Sequence, residues 1–143
     1  MSKTVKIYNT KAECYLVCEK SLFSDETYHV RLDSEVNDTP SFYETWTLVG
    51  VVPDESTFFL RMEPLDANLI AFYTKPNDCP IARAVKAVSA SPVELIYNAY
   101  NKTIITNAGS ASLYLSSKAE DVDGEVDMNV YFTPDVAGEW EIK

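Results

Sequence analysis

Acidic residues recur in three loops of the sequence, and each loop follows a lysine at the end of a predicted strand. The lysines are Lys20, Lys75 and Lys118, and the loops after them contain Asp25, Asp78 and Asp121. A carboxylate accepts hydrogen bonds from hydroxyl groups, so these loops could bind a hydroxyl-rich ligand. A lysine beside an acidic residue can also form a surface ion pair of little energetic value. For any single loop the ion pair is the better interpretation, and only the recurrence in three loops favours binding.

The segments that must position these loops are short and rich in β-branched and aromatic residues. Asn, Asp, Gly or Pro bounds each of them, which is typical of strands. No segment shows a sustained apolar period of 3.6 residues, so we predict almost no helix. The sequence predicts twelve strands, at residues 4–8, 14–18, 28–32, 45–49, 58–61, 69–73, 81–85, 93–97, 103–106, 112–115, 128–132 and 139–142.

A short pattern recurs three times along the chain, as Glu44-Thr45-Trp46, Val93-Glu94-Leu95 and Gly138-Glu139-Trp140. The markers Trp46, Glu94 and Trp140 are separated by steps of 48 and 46 residues. Such a period is typical of one supersecondary unit used repeatedly. We therefore predict a single domain of 143 residues with repeats over about residues 1–52, 53–99 and 100–143. Trp46 and Trp140 are predicted to lie in the core, since large aromatic side chains at equivalent positions bury well.

Twelve strands in three four-strand units resemble the β-trefoil superfamily, and the resemblance covers essentially the whole chain. The superfamily includes ricin-B-like lectins, mushroom lectins, mycocypin-type and Kunitz-type protease inhibitors, and a family of cytokines. Its lectins often carry Gln-x-Trp near the end of each unit. At the matching places the tryptophan is present twice, as Trp46 and Trp140, and the glutamine is absent. The resemblance implies a β-trefoil with a non-catalytic binding function.

Carbohydrate binding is the first functional hypothesis, with a glycan or glycoprotein as partner. The carboxylates of Asp25, Asp78 and Asp121 would accept hydrogen bonds from sugar hydroxyls. Three related sites would strengthen binding through effective concentration.

Protease inhibition through a protruding loop is the first alternative, because a rigid scaffold lowers the cost of ordering such a loop. The candidate loop residues are Pro53, Asp54, Glu55 and Asn68. A cytokine-like ligand for a receptor is the second alternative.

Composition argues against several other classes of function. The chain has one histidine, His29, and it lacks the motifs of a nucleophile elbow, a zinc protease or a phosphate-binding loop. We therefore predict no enzyme activity, no cofactor and no metal site. The net charge of −10 repels nucleic acid and anionic lipid surfaces. No apolar run approaches the length of a membrane-spanning helix, so membrane insertion is not expected.

The N-terminal residues lack the apolar stretch of a secretion signal. This predicts a cytoplasmic protein or one released without a signal peptide, with Cys14, Cys18 and Cys79 reduced and buried. The acidic segment at residues 120–127 is predicted to form a hairpin that turns at Asp123-Gly124. Cation binding by this segment is the less favoured alternative.

Overall fold

The described part of the chain is built from strands, and it contains one short 3₁₀ turn at Glu63–Leu65. The computed structural model describes residues 2–24, 26–33, 42–50, 57–73, 79–108, 111–117, 121–122, 125–126 and 130–143. Each of the twelve predicted segments overlaps an observed strand, so the all-β prediction is confirmed. No helix within these ranges is long and apolar enough to cross a membrane.

Fifteen strands are present in the described residues. They are β1 (Ser2–Asn9), β2 (Cys14–Ser24), β3 (Thr27–Asp33), β4 (Phe42–Tyr43), β5 (Thr45–Gly50), β6 (Thr57–Met62), β7 (Ala67–Phe72), β8 (Ile81–Lys86), β9 (Leu95–Asn98), β10 (Thr103–Ala108), β11 (Ala111–Ser116), β12 (Asp121–Val122), β13 (Glu125–Val126), β14 (Tyr131–Thr133) and β15 (Trp140–Ile142). The sequence did not predict β4 as a separate strand, and β12 and β13 lie in the acidic segment that was predicted to form a hairpin.

The strand pairing overturns the predicted β-trefoil of twelve strands in three repeats. The main sheet has 13 strands, and ten of them close into an antiparallel barrel. The order around the barrel is β1, β5, β6, β9, β10, β11, β14, β8, β3 and β2, and β2 pairs with β1 to close it. Three further strands lie off this ring: β15 pairs with β1, β4 pairs with β2, and β7 joins β6 to β8.

The prediction was wrong because it rested on spacing along the chain. Spacing reveals similar segments, but it does not determine which strand edges form hydrogen bonds with each other. Strand β8 illustrates this, since it pairs with β7 over six positions, with β3 over three, and with β14 at Tyr131↔Ile81. These partners come from three separate parts of the sequence.

Alternation along the strands places the core inside the barrel. In β3, Tyr28, Val30 and Leu32 are buried while His29 and Arg31 are half-buried, as the period of two predicts. Trp46 and Trp140 have no exposed surface, so the predicted core position of both rings is confirmed. The two indoles are the largest fully buried side chains among the described residues.

The tight turns between strands use local polar contacts. The side-chain oxygen of Asn9 accepts a hydrogen bond from the backbone nitrogen of Ala12 at 2.8 Å, which closes the turn after β1. Asn98 holds the turn before β10 in the same way, through the backbone nitrogen of Asn101 at 3.0 Å. The predicted hairpin in the acidic segment is also observed, since β12 and β13 pair antiparallel. Its turn residues Asp123 and Gly124 lie outside the described residues.

Candidate functional site

A cavity of about 260 Å³ opens where the chain enters β9. We call it the β9 cavity, and its lining residues are Thr57, Val93, Glu94, Ile96, Thr106 and Asn107. Thr57 begins β6, Thr106 and Asn107 lie near the end of β10, and the other three residues flank the buried Leu95. The cavity is therefore formed by three neighbouring strands of the barrel.

The cavity exists because β9 and β10 separate at one end. Their pairing stops at Ile105↔Ile96, whereas β10 continues along β11 to Ala108. The segment before β9 is held elsewhere, since the backbone nitrogen of Val93 donates to the carbonyl oxygen of Leu69 on β7 at 3.0 Å. Residues 93 and 94 are thereby drawn away from the end of β10, and the space between them and Thr106 stays open.

Three polar side chains of the lining are available to a ligand. Thr106 is only 4% exposed, and its hydroxyl forms no hydrogen bond with any residue in the described ranges. Asn107 accepts a hydrogen bond from Ser112 at 3.1 Å through its amide oxygen, which leaves the amide nitrogen as a donor. Glu94 is exposed and makes no ion pair with the part of the chain that the structure describes. The cavity thus offers a hydroxyl, an amide donor and a carboxylate acceptor.

The aliphatic side chains of Val93 and Ile96 supply the apolar part of the cavity. Both are half-buried, and Val93 packs against the core. No aromatic residue is among the six lining residues, so the stacking face expected of a sugar site is not part of this lining. An aliphatic surface can still contact the C–H groups of a small ligand.

The residues predicted to bind sugar fall largely outside the description of the structure. Asp25 and Asp78 lie outside the described residues, and Asp121 begins β12 with its side chain undescribed. None of the three lines the β9 cavity. The role of these loops therefore stays a prediction.

The residues predicted for an inhibitory loop are similarly placed. Pro53, Asp54 and Glu55 lie outside the described residues. Asn68 is part of β7, where it pairs with Arg61 and Val85, and its side chain is only 5% exposed. Its amide therefore adds no exposed group to the surface of a loop.

Sequence reasoning did not identify the β9 cavity, although one signal for it was present. The repeated pattern carries a tryptophan in its first and third copies and Leu95 in the second. The residues on both sides of Leu95 line the cavity. The copy that departs from the pattern was thus the place to look for a site.

The described parts of the chain contain no cluster of side chains suited to metal binding. No group of three or more His, Cys, Asp or Glu side chains there could hold a metal ion. All three cysteines are free; Cys14 and Cys18 are buried, but Cys79 is exposed, which corrects the prediction that it is buried. Cys79 lies in the connection before β8, where no strand alternation turns it inward.

The lectin and inhibitor assignments came with the β-trefoil resemblance and lose that support together with it. Comparison of the chain with protein-family models, curated proteins and solved structures gives no match.

Proposed function

We propose that this protein binds a carbohydrate without catalysis, and that the β9 cavity is the binding site. The observation that carries the proposal is the hydroxyl of Thr106, which belongs to the cavity lining and forms no hydrogen bond with a described residue. This hydroxyl can therefore donate a hydrogen bond to a ligand hydroxyl or accept one from it. A sugar supplies such groups at several positions of one ring.

The mixed lining suits a sugar ring better than it suits a purely apolar ligand. Thr106 and Asn107 can donate hydrogen bonds, and the carboxylate of Glu94 can accept them from adjacent hydroxyls. Val93 and Ile96 can contact the C–H face of the ring. At about 260 Å³ the cavity is slightly smaller than the range of roughly 300–1,000 Å³ typical of small-molecule sites. We therefore expect it to hold a single sugar unit.

The same lining argues for binding without reaction. Hydrolysis of a glycosidic bond ordinarily uses two carboxyl groups on opposite sides of the bond. Glu94 is the one carboxylate among the six lining residues, and none of the six is a histidine or a cysteine.

A glycan array followed by calorimetry with the best glycan tests the proposal. Thr106→Val keeps the shape of the side chain and removes the hydroxyl, so we expect binding to weaken by about tenfold, the value of one buried hydrogen bond. Thr47→Val on β5, which lies outside the lining, is the matched control and should bind like the wild type.

Two results would overturn the proposal. One is an array on which the wild type binds no glycan. The other is full affinity of Thr106→Val combined with loss of binding when Asp25, Asp78 and Asp121 are changed together to Ala. That combination would move the site to the three acidic loops.

We also propose that the protein is cytoplasmic. The support is that Cys14, Cys18 and Cys79 are all free thiols, as is usual in a reducing compartment. Fractionation of the native cells, with an antibody against the protein, would test this. Recovery of the protein with oxidised cysteines from a secretory compartment would contradict it.

A further inference from the structure

The charge of the β9 cavity is one-sided. Glu94 is the only charged residue among its six lining residues, and none of the six is Lys, Arg or His. Glu94 also makes no ion pair with the described residues. Around the site, the whole chain has a net charge of −10. The charge of Glu94 and the net charge of the chain both attract a cationic ligand, and both repel an anionic one.

The other lining groups fix where the positive charge of a ligand would lie. Thr106 is only 4% exposed, whereas Glu94 is exposed, so Glu94 is on the solvent side of the lining. A sugar whose hydroxyls reach Thr106 and Asn107 would have its opposite edge beside Glu94. An ammonium group on that edge could form a charge-assisted hydrogen bond with the carboxylate, which is stronger than the bond of a neutral hydroxyl.

We propose that the β9 cavity is selective for an amino sugar with a free, protonated amine, and that Glu94 determines this selectivity. The proposal rests on the proposed carbohydrate-binding function and adds the charge class of the ligand. Neutral sugars bind more weakly because they make the same contacts without the ion pair. Sugars that carry a carboxylate are rejected, because no cation of the lining compensates their charge against Glu94.

The ¹⁵N-labelled protein is titrated with each sugar, and the shifts of its amide resonances are followed by nuclear magnetic resonance. The shifts locate the binding site and give the affinity, even for the weak binding expected of a single sugar unit. The probes are glucosamine, glucose, N-acetylglucosamine and glucuronic acid, which differ in the charge of the ring substituents. Wild-type protein should bind glucosamine about five- to tenfold more tightly than glucose or N-acetylglucosamine, the gain of one partly exposed charged bond. Glucuronic acid should bind most weakly, and raised salt should reduce the differences.

Glu94→Gln and Glu13→Gln form a matched pair of variants. Each changes the net charge by one, but Glu13 lies in the turn between β1 and β2 and does not line the cavity. Glu94→Gln should abolish the preference for glucosamine, because it should weaken the binding of glucosamine more than the binding of glucose. Glu13→Gln should leave the preference unchanged. Equal loss in both variants would assign the preference to the overall charge and overturn the role of Glu94.

The results separate the selectivity from the function on which it rests. Equal affinity of the wild type for glucosamine and glucose, with shifts at Thr106 and Asn107, would refute the selectivity alone. Failure of every sugar to shift these resonances would refute binding in the β9 cavity and the selectivity with it.

Discussion

The indole nitrogen of Trp140 donates a hydrogen bond to the backbone carbonyl oxygen of Leu115 at 2.8 Å. Trp46 makes the same contact with the carbonyl oxygen of Leu16 at 2.9 Å. In the middle of the chain there is no tryptophan, and the carbonyl oxygen of Leu69 receives the backbone N–H of Val93 instead. The two indoles therefore fill the core and satisfy buried backbone groups. At Leu69 a backbone N–H takes the place of the indole, and the residues that supply and follow this N–H, Val93 and Glu94, line the β9 cavity.

Replacing Trp140 by Phe should destabilise the fold. The variant keeps an aromatic ring, but it leaves the Leu115 carbonyl without the indole donor and leaves unfilled space in the core. We expect the free energy of unfolding to fall by about 1–3 kcal/mol for Phe and by about 3–5 kcal/mol for Ala. Urea denaturation measures both values. Tyr100→Ala is the control, because that ring is 95% exposed and its removal should have almost no effect. Unchanged stability of Trp140→Phe would contradict a structural role for the indole N–H.

Gly138→Ala should also destabilise the protein, through a close backbone approach. A Cβ atom at position 138 would overlap the carbonyl oxygen of Asn101, which is backbone and cannot rotate away. Moving the turn at Asn101 would strain the hydrogen bond, 2.9 Å long, from the backbone nitrogen of Trp140 to the backbone oxygen of Lys102. We expect a loss of about 1–3 kcal/mol, as for other overpacked sites. Val136→Ala, two residues away and 75% exposed, is the control for the same loop. Equal melting temperatures of the two variants would show that the turn adapts without cost.

The three thiols should differ sharply in reactivity. Burial raises the pKa of Cys18 to about 12, with a smaller contribution from Glu19. Burial also raises the pKa of Cys14, while Cys79 is exposed. Since the thiolate is the reactive form, we expect one fast thiol in the folded protein and three after denaturation, measured with Ellman's reagent.

Cys79→Ser identifies the fast thiol. The folded variant should show no fast reaction, and the denatured variant should show the two remaining thiols. A fast thiol that persists in the variant would mean that Cys14 or Cys18 becomes exposed.

His29 should make the fold less stable as the pH falls. Burial, and then the positive charge of Arg83, lower its pKa from the ordinary value of 6.5, and Arg31 acts in the same direction against an opposing effect of Glu19. The unfolded chain therefore binds the proton more readily than the folded chain. The stabilisation is complete above the unfolded pKa and is lost as the pH falls through the folded pKa.

His29→Gln isolates this contribution, because it removes the titrating group and keeps a polar side chain of similar size. Urea denaturation at about pH 8 and about pH 5.5 should show a larger loss of stability in the wild type than in the variant, because the variant lacks the imidazole that titrates in this range. Identical losses in both proteins would show that His29 titrates alike in the folded and unfolded states.

The sequence by itself determined the class of the fold and much of its local structure. Strand positions and the burial of Trp46 and Trp140 could be predicted because alternation and side-chain size act over a few residues. The turn at Asn9 was predictable for the same reason, since its hydrogen bond to Ala12 spans three residues.

Tertiary structure decided which strands pair and where the site lies. The barrel order was missed because hydrogen bonds between strands join segments that are distant in the chain, as when Ile96 pairs with Thr57 on one side and with Ile105 on the other. The β9 cavity was missed because it depends on where one such ladder ends. Glu94 and Thr106 lie in one cavity because β9 pairs with β10 only from Ile96 onward and Val93 is hydrogen-bonded to Leu69. The number of residues over which two strands pair depends on which other segments compete for the same backbone hydrogen bonds. Local periodicity in the sequence does not encode that competition.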